Sequence, residues 1–239
     1  MKKIAIVGAG PTGIYTLFSL LQQQTPLSIS IFEQADEAGV GMPYSDDENS
    51  KLMLANIASI EIPPIYCTYL EWLQKQEASH LQRYGVKKET LHDRQFLPRI
   101  LLGEYFRDQF LRLVDQARQQ KFAVAVYESC QVTDLQITNA GVMIATNQDL
   151  PSETFDIAVI ATGPVRPDEE EATRTYFPSP WSGLMEAKVD ACNVGIMGTS
   201  LSGLDAAMAV AIQHGSFIED DKQHVIFHRD NANEKLNIT

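Results

Sequence analysis

The stretch "KKIAIVGAGPTGIYTLF", residues 2–18, decides the fold. Residues 4–7 are a short, largely β-branched apolar run of the kind that makes a strand buried on both faces. Gly8, Gly10 and Gly13 follow at once, and beyond Pro11 apolar residues recur at helical spacing as Ile14, Leu17, Phe18 and Leu21. The pattern predicts strand, glycine turn and helix. A second strand is expected at Ser28–Phe32, ending beside Glu33, 20 residues after Gly13.

Each piece suits the holding of a dinucleotide. Gly8 permits the tight turn, Gly10 lets the backbone approach a pyrophosphate, and Gly13 lets the helix pack close to the strand. The helix start, with Pro11 and Thr12 as candidate contacts, offers the unpaired N–H groups that follow Pro11 and positive dipole character to phosphates. Glu33 can accept hydrogen bonds from ribose hydroxyls, and Gln34 beside it is a further candidate. A bare GxGxxG match is weak evidence, but here the strand, the helix and the acidic residue all fall where the fingerprint requires. Spacing alone does not separate FAD from NAD.

The 239 residues can hold one large core or two modest ones. With 44% hydrophobic and 21% charged residues, the composition is that of a globular protein rather than a disordered or fibrous one. The formal charge of −12, with acidic runs at 168–172 and 219–221, opposes binding to nucleic acid or to an anionic membrane. Cys67, Cys130 and Cys192 are scattered, with no Cys-x-x-Cys pair and no metal-ligand spacing, and read as reduced, buried thiols. The apolar run at residue 4 breaks into glycine too soon for a signal peptide, and no run reaches the roughly 18 residues of a membrane span. A cytoplasmic protein without a metal centre is expected.

Two further stretches carry a resemblance. "GVGMPY" (39–44) resembles the glycine-rich continuation found in flavoproteins with two dinucleotide-binding domains. "FDIAVIATGP" (155–164), with Ala161, Thr162 and Gly163 at its end, resembles the segment that closes the first pass through their FAD domain. With "MLANIAS" (53–59) and "FLPRILLGEYF" (96–106), the whole chain resembles the bacterial FAD/NAD(P)-binding proteins related to flavin-dependent monooxygenases. The resemblance implies FAD at the first site, with Gly41, Asn56, Arg99, Ala161, Thr162 and Gly163 among its binding residues. It places Gln131 or Val132 near the adenine; two ordinary strand residues are the alternative. Arg99 would meet the FAD phosphates or an acidic substrate, or else form a salt bridge at a helix start.

Between these segments, "IYCTYLEWLQKQ" (65–76) and residues 97–120 show helical spacing, the second with Leu101, Tyr105, Phe106, Phe110 and Leu113 on one side. This predicts a helical excursion with an aromatic core stripe. His80 and His92 are expected at the surface. Residues 123–148 alternate and contain the turn signal Asn139-Ala140-Gly141, which predicts a strand leading into a small antiparallel sheet.

A looser copy of the opening phrase, "NVGIMGTSLSGLDAAMA", stands at 193–209. Gly198, Ser200 and Gly203 take the three glycine positions, and Thr199, Leu201 and Ser202 complete the turn. Following the Ala-Thr-Gly segment, it reads as the start of an NAD(P)H domain; an ordinary strand-to-helix turn is the alternative. Asp205 is either a polar contact to the FAD domain or an exposed residue. "HVIFHRD" (224–230) is strand-like, and His228 and Arg229 hint at a 2′-phosphate. In the resembling proteins the corresponding strand starts later, near Leu236, which would make 224–236 an inserted hairpin.

The expected architecture is α/β: a Rossmann-like FAD domain over 1–165 with a helical excursion and small antiparallel sheet, then the beginning of a second Rossmann-like domain over 166–239. Because the chain stops in an extended run at Thr239, it is expected to be an N-terminal piece of a longer protein. The expected function is an FAD-dependent oxidoreductase in which NADPH or NADH reduces the flavin, acting on a small-molecule substrate and resembling a monooxygenase. The alternative is a non-catalytic FAD-binding module. The lack of a redox cysteine pair argues against a disulfide-reductase mechanism, and no catalytic acid or base is identified.

Overall fold

The computed structural model describes residues 1–23, 25–45, 53–148, 150, 153–163, 175–180, 184, 187–220, 224–230 and 234–239. The acidic run at 168–172 and the expected domain boundary at 165 lie outside them. The chain divides into two units, Met1–Pro164 and Val165–Thr239.

In the first unit β1 (Lys3–Val7) leads through the glycine turn into α1 (Pro11–Leu21), and β2 (Ser28–Phe32) returns parallel to β1. Ile4, Ala5, Ile6 and Val7 are all buried, which explains the unbroken apolar run: a central parallel strand is covered on both faces. Ile14, Leu17 and Leu21 turn the inner face of α1 onto the sheet and are also buried. Replacing Leu17, which has no exposed surface, with alanine costs about 2–5 kcal/mol.

The chain then leaves the sheet. Helices α2 (Tyr69–Lys75), α3 (Ala78–Gln82) and α4 (Arg99–Gln119) form the excursion. The expected helix at 65–76 begins only at Tyr69, because Thr68 caps it: its hydroxyl accepts from Glu71 N (3.1 Å), while the Glu71 carboxylate accepts from Thr68 N (2.8 Å). Leu97 and Pro98 are likewise outside α4, held extended by the Leu54–Pro98 bridge. The aromatic stripe on α4 is core: Tyr105, Phe106 and Phe110 are buried, and Tyr69 and Trp72 from α2 pack against Tyr105. His80 does not stand free at the surface as expected; its Nε2 meets Glu104 Oε2 at 2.6 Å, whereas His92 is exposed.

Strand β3 (Ala123–Tyr127) re-enters the sheet parallel to β2. Strands β4 (Val132–Thr138), β5 (Gly141–Thr146) and β6 (Thr154–Phe155) make the small antiparallel sheet, with Gly141 at the expected turn. Finally β7 (Ile157–Ile160) pairs with the free side of β1, giving the parallel order β3-β2-β1-β7.

In the second unit β8 (Asn193–Val194) leads into α5 (Leu201–Ala211), and β11 (Asn237–Ile238) pairs parallel to β8. Between α5 and β11 stands an antiparallel hairpin of β9 (Gly215–Glu219) and β10 (Val225–Arg229). The residues at 225–229 therefore form a strand, but it belongs to this hairpin and not to the parallel pair. Leu184, Ala209, Val210 and Leu236 form a small core. The predicted α/β fold class, Rossmann-like with an excursion and a small sheet, is what the structure shows.

Candidate functional site

The first unit holds a cleft of about 270 Å³ at the carboxyl ends of its parallel strands, the place where open α/β sheets bind ligands. Of the residues expected to bind FAD, Gly8, Gly10, Pro11, Thr12, Glu33, Gln34, Gly41, Val132, Ala161, Thr162 and Gly163 line it, as does Gln131. They come from the β1–α1 turn, the end of β2, the loop at Gly41, the entry to β4 and the end of β7.

The floor of the cleft is the helix start. Gly10 caps α1 with extended backbone, and Ile14 N donates to Gly10 O at 3.0 Å, so the earlier N–H groups of Thr12 and Gly13 have no acceptor one turn back. Opposite stands Gly41, with φ +83°. A Cβ on Gly10 would lie 3.3 Å from Gly41 Cα, and one on Gly41 would lie 2.8 Å from Pro11 Cδ. Only hydrogen on both sides leaves room for a bulky anion to reach the backbone donors. These residues therefore fit a dinucleotide pyrophosphate.

Glu33 is buried and has a second job that the sequence did not announce. Its Oε2 accepts from Ala9 N (2.8 Å) and its Oε1 from Ala35 N (3.0 Å), tying the glycine turn to the end of β2. A carboxylate offers about four acceptor positions, so two remain for ribose hydroxyls. Gln131 N donates to the Asn147 side chain and Gln131 O accepts from Asn147 N, both at 2.9 Å, which fixes the backbone entering Val132.

Three expected residues are not part of the lining. Gly13 sits behind the turn, where a Cβ would overlap Gly8 O, as its packing role requires. Asn56 is exposed on the loop after the Leu54 bridge. Arg99 is buried, and its Nε donates to Leu54 O at 3.0 Å, so this group is committed to the protein backbone. It still acts near the cleft: burial raises the Tyr44 phenol above its ordinary value, and the Arg99 charge pulls it partly back. Tyr44 lines the cleft together with Val7, Phe32, Met42, Pro43 and Cys130, none of which the sequence reading singled out as a site residue. The signal for Met42, Pro43 and Tyr44 lies in the "GVGMPY" run itself, directly after Gly41.

The second unit repeats the turn. Gly198 has φ +105° against +99° for Gly8, Ser200 caps α5 with extended backbone, and a Cβ on Gly203 would overlap Gly198 O. Thr199, Ser200, Leu201 and Ser202 are exposed around it. Asp205 is buried, which removes the exposed alternative. Arg229 Nη1 donates to Glu234 O (3.1 Å) and Leu236 O (3.3 Å), and His228 pairs in register with Ser216. Both belong to the hairpin strand β10, so they do not end the parallel strand that would present a 2′-phosphate ligand. Of the three thiols, Cys67 and Cys130 are buried as expected and Cys192 is exposed.

The model of a family described as FAD-NAD(P)-binding matches residues 5–165. The chain belongs to the FAD/NAD(P)-binding family. FAD and a nicotinamide dinucleotide are therefore its cofactor class. This FAD/NAD(P)-binding chain is 96% identical over all 239 residues to the uncharacterized protein YdhS of Escherichia coli K12, and spans 45% of the length of that curated relative. Among solved structures it is similar to S-allyl-L-cysteine S-oxygenase from Allium sativum, with 17% identity and a TM-score of 0.52 over 88% of this chain and 49% of the other. It is also similar to the bacillithiol disulfide reductase Bdr from Staphylococcus aureus, with 14% identity and a TM-score of 0.51 over 89% of this chain and 55% of the other. These likenesses concern the fold. Among the described residues no helix is long and apolar enough to cross a membrane.

Proposed function

We propose that this chain is the cofactor-binding part of an FAD-dependent oxidoreductase whose flavin is reduced by NADPH or NADH. The observation that carries the reading is the cleft in which the glycine turn, Glu33 and the end of β7 converge. The glycine turn and the Thr12 N–H would hold the pyrophosphate, Glu33 the ribose, and the backbone at Gln131 and Val132 the adenine. Gly41, Ala161, Thr162 and Gly163 would shape the walls, while Arg99 acts through Tyr44. When both cofactors are bound, the nicotinamide supplies a hydride, that is two electrons and one proton, to the flavin. The turn from Gly198 to Gly203 is the candidate nicotinamide-cofactor site. A small-molecule substrate, oxidised in a monooxygenase-like reaction, completes the proposal.

A non-catalytic FAD-binding module is the second reading: among the described residues a Cβ on Gly198 would meet nothing within 4 Å, against the close packing around Gly8. Titration of the purified chain with FAD, followed by flavin fluorescence, tests the first site. Saturable binding supports the reading, and no binding overturns it. Anaerobic mixing of the FAD-loaded full-length relative with NADPH or NADH then separates the two readings: bleaching of the flavin absorbance supports the oxidoreductase, and no bleaching with either leaves the binding module.

A further inference from the structure

None of the residues lining the cleft comes from α4, yet the wall formed by residues 41–44 rests on that helix. Gly103 lies within α4, four residues after its start. A Cβ there would overlap the Tyr44 carbonyl oxygen and lie 3.1 Å from both Tyr44 Cβ and Val40 Cγ1. One turn on, Phe106 packs its ring 5.6 Å from the Tyr44 ring. Arg107 Nη1 donates to Ala38 O and, at 2.8 Å, to Glu128 Oε1, which also accepts from Ala38 N. Further along, Phe110 lies against Gly39, where a Cβ would come within 2.7 Å of Phe110 Cβ. Contacts three and four residues apart on one helix face thus seat the whole 38–44 segment. On its other side the same segment meets the glycine turn, through Gly39 N donating to Ala9 O (3.0 Å) and through the close approach of Gly41 to Pro11.

Glycine is a poor choice for a helix interior, where alanine is favoured intrinsically. Its presence at 103 therefore needs a reason outside the helix, and the Tyr44 carbonyl supplies one. We infer that Gly103 is a positioning residue for the FAD site: by carrying no side chain it lets the 41–44 wall sit against α4, which fixes the separation of that wall from the phosphate-binding turn. The inference rests on the proposed assignment of FAD to this cleft.

The test is Gly103→Ala in the 239-residue chain, with FAD affinity from fluorescence titration, the visible circular dichroism of the bound flavin, and thermal stability measured without FAD. A role confined to the helix predicts a more stable protein with unchanged affinity and flavin dichroism. The positioning role predicts an affinity loss of about tenfold or more, with altered dichroism of whatever flavin remains bound, because the pre-formed wall is displaced. Hydrogen exchange of the wild-type chain gives a second readout that does not depend on the variant folding. FAD should slow exchange in α4 near residues 103–107 as well as at the lining residues, and protection confined to the lining residues would overturn the inference. If the wild-type chain takes up no FAD, the assignment of the cleft falls and this inference falls with it. Wild-type binding with an indifferent Gly103→Ala removes the inference alone.

Discussion

The two glycine turns of this chain have nearly the same geometry and very different surroundings. Gly8, Gly10 and Gly13 recur 190 residues later as Gly198, Ser200 and Gly203, and each turn feeds an 11-residue helix. In both, the last glycine lies so close to the first that a Cβ would overlap its carbonyl oxygen. The first turn is packed on its outer side by β7, so that a Cβ on Gly8 would overlap Ala161 O; among the described residues a Cβ on Gly198 would meet nothing within 4 Å. Val7 before the first turn is buried, whereas its counterpart Met197 is 99% exposed. The local sequence specifies the turn, and non-local packing makes it a cleft.

The largest expected effect breaks this contrast directly. Gly8→Ala meets both a left-handed φ and the Ala161 backbone, so it should destabilise the first unit by about 3 kcal/mol or more and abolish FAD binding. Gly198→Ala meets, among the described residues, the backbone strain alone, of order 1–2 kcal/mol. Denaturant titration of the two variants checks the order, and equal losses would show that packing against β7 is immaterial.

Next in size is Glu33→Ala. Loss of the carboxylate removes the acceptor for the Ala9 and Ala35 N–H groups along with any ribose contact. FAD affinity should fall by about 1.5–3 kcal/mol, with a parallel loss of stability in the absence of FAD. Calorimetric titration measures the first; unchanged affinity would refute the ribose role.

Arg229→Ala sharpens the second turn. Since Arg229 is engaged with the Glu234 and Leu236 carbonyls, its removal should cost about 1 kcal/mol of stability and leave any preference between NADPH and NADH unaltered. A lost preference for NADPH in the full-length relative would return this residue to the 2′-phosphate.

The smallest effect concerns Glu128. Burial works to raise its carboxyl, but the Ala38 N–H and the Arg107 guanidinium outweigh that and lower it below the ordinary 4.5. A group depressed in the folded state stabilises at pH above its unfolded value, and that contribution is lost as pH falls through the folded one. The pair is partly exposed and so screened by solvent, and no more than about 1 kcal/mol is at stake. Glu128→Gln should lower stability at neutral pH by no more than about 1 kcal/mol and flatten the acid limb below pH 4.5, where the wild type loses the same contribution; an unaltered acid limb would count against the pairing.

What was legible in the sequence was local. The strand, turn and helix at residues 3–21 and the glycine code at 198–203 depend on neighbours in the chain, so residue type and spacing suffice to read them. The excursion helices showed in their periodicity, and only their starts shifted, where Thr68 and Pro98 impose caps and a bridge. The fate of Arg99 was not legible, because its acceptor, Leu54 O, is 45 residues away and is placed by the Leu54–Pro98 pairing. Cys130 and Tyr44 enter the cleft wall through similar long-range placement. The strand at 225–229 reads two ways in the sequence, as the bearer of a 2′-phosphate ligand or as part of an inserted hairpin before a strand near Leu236, because its apolar residues fit any sheet; the structure has the hairpin, with 215–219 rather than 230–236 as its other strand. In register, β2 begins 25 residues after β1 and β11 begins 44 after β8, and the hairpin from Gly215 to Arg229 makes up most of the 19-residue difference.

The order of strands also constrains how this chain can be made. β1 emerges first from the ribosome, yet its second neighbour, β7, is 153 residues later, as in the Lys3–Asp156 hydrogen bond. Until residue 160 has been synthesised, one edge of a strand that is apolar from Ile4 to Val7 stays open. Such late closure slows folding and leaves nascent chains prone to self-association. A stalled product ending before β7 should therefore aggregate or be held by chaperones, while a product that includes it can close its sheet.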